Sequence, residues 1–270
     1  MMIAMNRKSF LRRLTLSAAA VSAGCSSTRV PPSGREFTVL TYNIHHGEGR
    51  DGRLDLIRIA EVIRSSGADL VALQEVDRLA QRTQGRDLPK ELAALTSMEV
   101  IFGPNIPLQG GEYGNAILSR FPVARWTNLR YRPVRPGEQR GLLQSVVTID
   151  GSELAFLCTH LDHRPDDVER LASVAEIETV AAQYASLPLV LCGDFNDQPG
   201  SRTDVRLSQS FRDAWRIAGT GNGGTYPSEA PTRRIDYVWL KGAVQAVSAE
   251  VLTSDGSDHA ALKVRLRLGR

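Results

Sequence analysis

Lysine is nearly absent from this chain. Beyond residue 24 only Lys90, Lys241 and Lys263 remain, so the basic residues are almost all arginine. Long apolar runs are scarce as well. After residue 25 no stretch is long and apolar enough to span a bilayer as a helix, which excludes such a span there. Positive charge is scarcer than the net +3 suggests. Arg7, Lys8, Arg12 and Arg13 precede Cys25 and no acidic residue does, so without residues 1–24 the net charge falls from +3 to −1. A body so close to neutral is not built for strong nonspecific attraction to nucleic acid. There are three cysteines, Cys25, Cys158 and Cys192. The last two sit in apolar, strand-like runs, where a thiol serves as a small hydrophobe. A bridge between them is disfavoured, because adjacent central strands rarely offer disulfide geometry. No internal repeat or low-complexity tract is present.

What is there is ordinary for a globular protein: 42% hydrophobic and 23% charged residues in 270, enough to bury a sizeable core. Residues 1–24 read as an export signal, basic first and then small and apolar from Leu14 to Ala23. Arg7-Lys8-Ser9-Phe10-Leu11 resembles a degenerate twin-arginine signal, with lysine in place of the second arginine. Ser22-Ala23-Gly24-Cys25 resembles a bacterial lipobox, with Ser22 where an aliphatic residue is commoner. We therefore expect export to the periplasm or cell envelope, with lipidation of Cys25 tethering the protein to a membrane. Residues 25–35 then form a flexible tether and 36–270 a single domain.

Within that domain, apolar runs and helical stripes alternate. Phe37–Tyr42, Asp69–Val76 and Leu189–Cys192 read as buried strands, and Leu54–Ser65 and Asp166–Tyr184 as amphipathic helices, the second capped by Asp166. Residues 77–90 and Pro104–Gly111 read as loops, with a short helix at Glu91–Thr96. Asp150-Gly151 between two strand-like arms signals a hairpin. Leu262 to Leu268 alternates apolar and basic residues, the period of a half-exposed strand. Interleaved strands and helices with hairpins imply mixed sheets with helices outside.

The strands share one habit: each apolar run closes on a polar group. Asn43, Glu75, His160 and the pair Asp194 and Asn196 end four runs; Asp258-His259 precedes the last strand. Asp236 lies between Ile235 and Tyr237, where an acid is costly to bury without a partner. If the strand ending Gly193-Asp194-Phe195-Asn196 persists, Asp194 and Asn196 share one face at a strand's carboxyl end, where open α/β sheets place ligands.

In order, Thr41-Tyr42-Asn43, Gln74-Glu75-Val76, Thr159-His160-Leu161, Gly193-Asp194-Phe195-Asn196, Arg234-Ile235-Asp236-Tyr237 and Ser257-Asp258-His259 resemble the motifs of the endonuclease/exonuclease/phosphatase family, across residues 37–268. Thr41 to Gly47 also resembles a branch that includes the catalytic-like domain of eukaryotic proteins linked to GPI-anchor lipid remodelling. The resemblance implies the DNase I-like fold, a four-layer α/β sandwich with two packed mixed β-sheets flanked by helices. It also implies a Mg²⁺-dependent phosphoesterase, with Mn²⁺ as substitute. Mg²⁺ takes oxygen ligands and keeps waters, so one or two carboxylates suffice.

Glu75 is the expected metal ligand, supported by Asn43, with Asp258 as an extra ligand. The family often carries an acid two residues after the first asparagine; here that position is His45, which puts a second metal site in question. Asp194 is expected to orient and deprotonate the attacking water, Asn196 to fix it or a phosphate oxygen, and His160 to donate to a phosphoryl oxygen. His259, held by Asp236, would neutralise phosphoryl charge in its protonated form. Arg140, Tyr113 and Asn115 are expected on the substrate side; Arg170 near the site, and Asp162 and His163 at its rim, are weaker candidates. Arg120 to Arg140 is dense in arginine and suits an anionic headgroup, a phosphate backbone or plain solvent. His46 reads as a loop histidine. The leading expectation is a monomeric phosphodiesterase or phosphatase, with phospholipid-type substrates favoured over nucleic acid. Its rivals are a secreted nuclease and a catalytically inactive binding module on the same scaffold.

Overall fold

The structure, a computed structural model, describes residues 34–269. The expected export segment and Cys25 lie outside the described residues, as does most of the expected tether. In chain order the strands are β1 (Glu36–Asn43), β2 (Leu70–Arg78), β3 (Glu99–Leu108), β4 (Gly111–Ser119), β5 (Val123–Arg130), β6 (Gly141–Ile149), β7 (Ser152–His160), β8 (Leu189–Asp194), β9 (Arg212–Asp213), β10 (Asp236–Lys241), β11 (Val244–Leu252) and β12 (Ala261–Leu268). The helices are α1 (Leu56–Ser66), α2 (Leu88–Thr96), α3 (Val168–Gln183), α4 (Arg202–Ser210) and α5 (Ala214–Ala218). No helix among the described residues is long and apolar enough to cross a membrane.

The strands form two six-stranded sheets, ordered β11-β12-β1-β2-β4-β3 and β5-β6-β7-β8-β10-β9. Period-two alternation sorts their side chains into layers. Val39, Leu70, Ala72 and Val264 from the first sheet meet Phe156, Val190, Cys192 and Val238 from the second in the central core. The intervening Leu40, Val71 and Leu73 face α1 and α2 through Leu56, Ile59, Ile63 and Leu92. Leu189 and Leu191 face α3 and α4 through Val174, Ile177 and Leu207. Burial on both faces explains the unbroken apolar run at β8. This is the four-layer α/β sandwich expected.

Each sheet has one parallel pair at its heart, β1 with β2 and β7 with β8. A parallel pair needs a crossover, and α1 and α3 supply them. All four carboxyl ends therefore open at one end of the sandwich. β10 runs antiparallel to β8 with Asp236 opposite Asp194, and β12 runs antiparallel to β1 with Leu262 opposite Thr41. Asp236 and His259 are thereby delivered to that same end by the starts of their strands.

Several local expectations are corrected. β3 continues past Gly103 to Leu108 where a loop was expected, because a bulge between Pro104 and Ile106 absorbs the proline, which lacks the N–H a regular ladder needs. The expected loop at 77–90 instead holds the end of β2 and the start of α2, capped by Asp87 accepting from the Lys90 N–H. α3 starts at Val168 with Asp167 in the cap position, and Asp166 accepts the Val168 N–H at 3.2 Å. The run 189–196 does not stay extended: β8 stops at Asp194, and Asn196 has φ +51°. Cys158 and Cys192 lie opposite each other on β7 and β8, buried and both free thiols.

Candidate active site

Four backbone devices aim side chains at the open end. The first is a bulge in β2. The register against β4 shifts between Leu73 and Val76, and Glu75 sits at φ +59°. The bulge leaves Gln74 buried beneath, within 3.3 Å of the Thr41 hydroxyl, and turns Glu75 outward. The second is the turn after β8, where the Asn196 N–H returns to Asp194 Oδ1 at 2.9 Å. Asp194 and Asn196 thus share the site through a turn and not through strand alternation. The third is close packing of β7 on β8: a Cβ on Gly193 would lie 2.1 Å from the Thr159 carbonyl oxygen, so only glycine lets His160 and Asp194 sit in register. The fourth is Ser257, whose hydroxyl lies 2.7 Å from the Asn43 carbonyl oxygen and accepts the His259 N–H at 3.2 Å.

Asp194 is the hub. Its Oδ2 accepts from Asn43 Nδ2 at 3.1 Å and lies 3.5 Å from His160 Nε2 and 3.7 Å from His259 Nε2. The same Asn43 amide donates to Glu75 Oε1 at 2.9 Å, while Asn43 Oδ1 accepts the His45 N–H at 3.1 Å. Two acceptor-only carboxylates on one side and an N–H on the other fix the carboxamide's orientation. In this arrangement its nitrogen, not its oxygen, faces Glu75. His259 Nδ1 lies 2.9 Å from Asp236 Oδ2, and the Tyr226 ring is 5.0 Å from the imidazole. Asp236 is fully buried, and its Oδ1 has no hydrogen-bond partner among the described residues. Asp258 is outside both donor clusters that converge among the described residues: its Oδ1 is 3.3 Å from the Ser257 hydroxyl and its carbonyl accepts the Ser228 N–H.

The protonation states follow from these neighbours. Burial pushes the Asp194 carboxyl up to about 7, with the Asp236 charge adding to it, against His259 and two hydrogen bonds that favour the carboxylate. Burial pushes His259 down, but the Asp236 charge and hydrogen bond, with the Asp194 and Asp258 charges, outweigh it and hold the imidazole at about 10. His160 goes the other way: burial, then the Arg140 charge, keeps it well below the ordinary imidazole value. Arg140 Nη1 donates to His160 Nδ1 at 2.8 Å, and a guanidinium can only donate. The His160 proton therefore sits on Nε2, facing Asp194. Asn196 Nδ2 lies 3.1 Å from that nitrogen and donates to the Leu161 carbonyl oxygen at 3.1 Å.

The expected substrate-side residues play varied parts. Arg140 is buried and occupied: besides His160 it meets Glu138 at 2.9 Å and His163 Nδ1 at 3.3 Å, so it orients His160 and does not stand open to a ligand. Asn115 is buried and donates to the Gly141 carbonyl at 3.3 Å, fixing the start of β6. Tyr113 is buried beneath Arg82, and burial with the nearby Glu75 charge raises its phenol well above the ordinary value. Arg170 is tied to Asp197 at 3.1 Å and to the Asp162 and Arg164 carbonyls, and Asp162 to Arg164. Much of the arginine-dense segment is spoken for as well. Arg125 pairs with Glu153, Arg135 with Asp166, and Arg120 and Arg130 with carbonyls.

Two features escaped the sequence. Asp77, fully buried, takes a two-pronged bond from Arg82 at 2.8 Å on each arm, just beyond the Glu75 bulge. With residues 77–90 expected as a loop, nothing in the sequence pointed to a buried Asp77 inside β2. His45 and His46 also converge on Glu75, one donor atom from each lying within 4.8 Å of the others. The signal was His45 in the place of an acid.

Comparison with known proteins matches this geometry to a family. The sequence profile described as the Endonuclease/Exonuclease/phosphatase family matches residues 40–259. The chain is 29% identical over 247 residues to the uncharacterised protein YbhP of Escherichia coli, covering 86% of this chain and 96% of that one. It is 24% identical over 220 residues to a 5′-tyrosyl-DNA phosphodiesterase of Caenorhabditis elegans, covering 76% of this chain and 55% of the other. Among solved structures, an endonuclease/exonuclease/phosphatase from Beutenbergia cavernae superposes with a TM-score of 0.74 at 27% identity, covering 87% of this chain and 72% of that one.

Proposed function

The chain belongs to the endonuclease/exonuclease/phosphatase family, and from that premise we propose that it is a divalent-metal-dependent phosphoesterase that cleaves its ester by in-line attack of water. One observation carries the reading: Asp194 Oδ2 lies within 3.7 Å of an asparagine amide and two imidazole nitrogens. Held near 7, Asp194 is matched to taking a proton at neutral pH. It would orient the water and accept its proton as the water oxygen bonds phosphorus and the ester oxygen departs to be protonated by solvent. His160 Nε2–H would donate to a phosphoryl oxygen, and charged His259, braced by Asp236, would neutralise the growing negative charge.

The half-buried Glu75 carboxylate, turned outward by the β2 bulge and held at one oxygen by the Asn43 amide, is an oxygen donor that fits a divalent cation. When bound, Mg²⁺ or Mn²⁺ supplies Lewis-acid stabilisation of phosphoryl charge.

For the substrate we favour a phospholipid-type diester over nucleic acid. The near-neutral charge beyond residue 24 and the internally paired arginines support this. The name of the C. elegans relative keeps a DNA end as the second reading. Export, a membrane tether at Cys25 and a monomeric state complete the proposal; mass spectrometry of the mature N-terminus tests the tether, which an unmodified start beyond Cys25 would remove. For the activity, purified protein is assayed with added metal on supercoiled plasmid, bis-p-nitrophenyl phosphate, p-nitrophenyl phosphate and phospholipid vesicles. Turnover of the diester or the lipid, abolished in Asp194→Ala, is expected. Plasmid nicking that Asp194→Ala abolishes, with no other turnover, would replace the lipid reading with the nuclease.

A further inference from the structure

The loop after β1 carries two histidines that the mechanism above does not use. His45 and His46 both have φ +44°, in the left-handed region that non-glycine residues seldom occupy, and Glu75 facing them has φ +59°. Each such residue is strained relative to its ordinary backbone conformations. Three in one place indicate that the fold holds these side chains together against local preference.

Hydrogen bonding then defines which nitrogens are free. His45 Nδ1 lies 3.3 Å from the Glu48 carbonyl oxygen, which can only accept, so Nδ1 carries the proton and Nε2 keeps its lone pair. His46 Nε2 lies 3.5 Å from Glu48 Oε2, a proximity that favours the tautomer with its proton on Nε2. In that tautomer its Nδ1 keeps a lone pair, and that nitrogen is buried with no hydrogen-bond partner among the described residues. Glu75 gives one oxygen to Asn43, which leaves the other for a ligand. A carbonyl or carboxylate behind a ligating imidazole is the usual means of fixing its tautomer and direction. One donor atom from each of the three residues lies within 4.8 Å of the others, and ligands of one small cation stand roughly 3–3.5 Å apart, so the side chains would draw inward to close on an ion.

We propose that His45 and His46 join Glu75 as nitrogen ligands of the cation, making this a two-imidazole, one-carboxylate site that selects a first-row transition ion over Mg²⁺. The inference rests on the reading of Glu75 as a metal carrier and goes beyond it. Mg²⁺ is a hard ion that takes oxygen and surrenders water reluctantly, whereas imidazole suits Fe²⁺, Ni²⁺ and Zn²⁺ best; Mn²⁺, the weakest binder of that row, serves as the paramagnetic probe.

The test is binding, read apart from turnover. Chelator-stripped protein is titrated with Mn²⁺, and pulsed electron paramagnetic resonance records nitrogen coupling to the bound ion; Mg²⁺ affinity is read by competition. Wild type should show imidazole nitrogen coupling. His45→Asn and His46→Asn, singly and together, should each reduce it. Asparagine tolerates left-handed backbone, so the fold should persist, and thermal unfolding checks this. The double variant should lose at least about tenfold in Mn²⁺ affinity while Mg²⁺ affinity moves by less than about twofold. Mn²⁺ bound in a Glu75-dependent way without nitrogen coupling would overturn the inference and leave the phosphoesterase reading standing. Coupling that survives in the double variant would likewise overturn it and assign the nitrogen to another histidine. Mn²⁺ binding that is absent, or indifferent to Glu75→Gln, would overturn the metal site itself and this inference with it.

Discussion

Asp236→Asn isolates the contribution of charge at His259. The substitution keeps the shape of the contact at 2.9 Å and removes only the negative charge and the acceptor preference. His259 is held at about 10 against an ordinary 6.5. At 1.36 kcal/mol per unit that net shift is on the order of 5 kcal/mol in favour of the charged imidazole, the balance of burial against the Asp236 charge and hydrogen bond and the Asp194 and Asp258 charges. Without Asp236, burial is opposed by less, and the imidazole is expected to be neutral at neutral pH. Losing one preorganised charged donor costs about 3–4 kcal/mol in the transition state, or roughly 10²–10³ in kcat, with little change in KM. Two measurements check this. Nitrogen chemical shifts of the His259 ring in chelated protein report its charge directly. Rates on bis-p-nitrophenyl phosphate across pH report its consequence: on the alkaline side, wild type should lose activity as pH approaches about 10, and the variant far below that. A charged His259 ring in the variant at neutral pH, or a kcat within about threefold of wild type, would refute the reasoning.

Gly193→Ala places a Cβ 2.1 Å from the Thr159 carbonyl oxygen and must push β7 from β8; about 2–4 kcal/mol of stability should be lost by denaturant unfolding, together with activity. Arg140→Ala removes the group that fixes the His160 tautomer, and kcat should fall roughly 10–100-fold while Arg140→Lys recovers only part of it. In chelated protein, the raised Asp194 carboxyl is neutral in both states below about 3.8, so its cost appears as pH rises from there to about 7. The His259 contribution is complete below about 6.5 and is lost as pH rises to about 10. Thermal stability of metal-free wild type should therefore decline across both windows, and Asp194→Asn should abolish the decline in the lower one. Burial pushes the Cys158 thiol up to about 12, so Ellman's reagent should find neither Cys158 nor Cys192 in native protein, and reductant should leave the melting temperature unchanged.

The convergence of Asn43, Glu75, His160, Asp194, Asp236 and His259 was legible because each closes or opens an apolar run. Apolar runs become central strands, and parallel central strands end on the same side. The layers were legible for the same reason, from alternation at β12 and its absence at β8. What stayed hidden depended on single backbone dihedrals and on pairings distant in sequence. The β2 bulge that turns Glu75 outward exists only against β4, and the left-handed turn at Asn196 appears locally as more strand. Arg140 looked like an open phosphate contact because its partners, His160, His163 and Glu138, are assembled only by the fold. Asp162 and Arg170 are structural by the same token. His46 read as a loop residue because nothing in its neighbours along the chain announces Glu75.

The central claim is that one buried carboxylate, ringed by an amide and two imidazoles, takes a proton from water beside a metal-bearing glutamate. The most direct measurement compares wild type with Asp194→Asn, both stripped by chelator and then reloaded with Mn²⁺, for Mn²⁺ affinity and for hydrolysis of bis-p-nitrophenyl phosphate. Neither stripped protein should turn over substrate, and reloading should restore turnover in wild type. In Asp194→Asn turnover should stay at least about 10³-fold lower, although Mn²⁺ still binds. Turnover by Asp194→Asn at the wild-type rate, or turnover by stripped wild type, would contradict that claim.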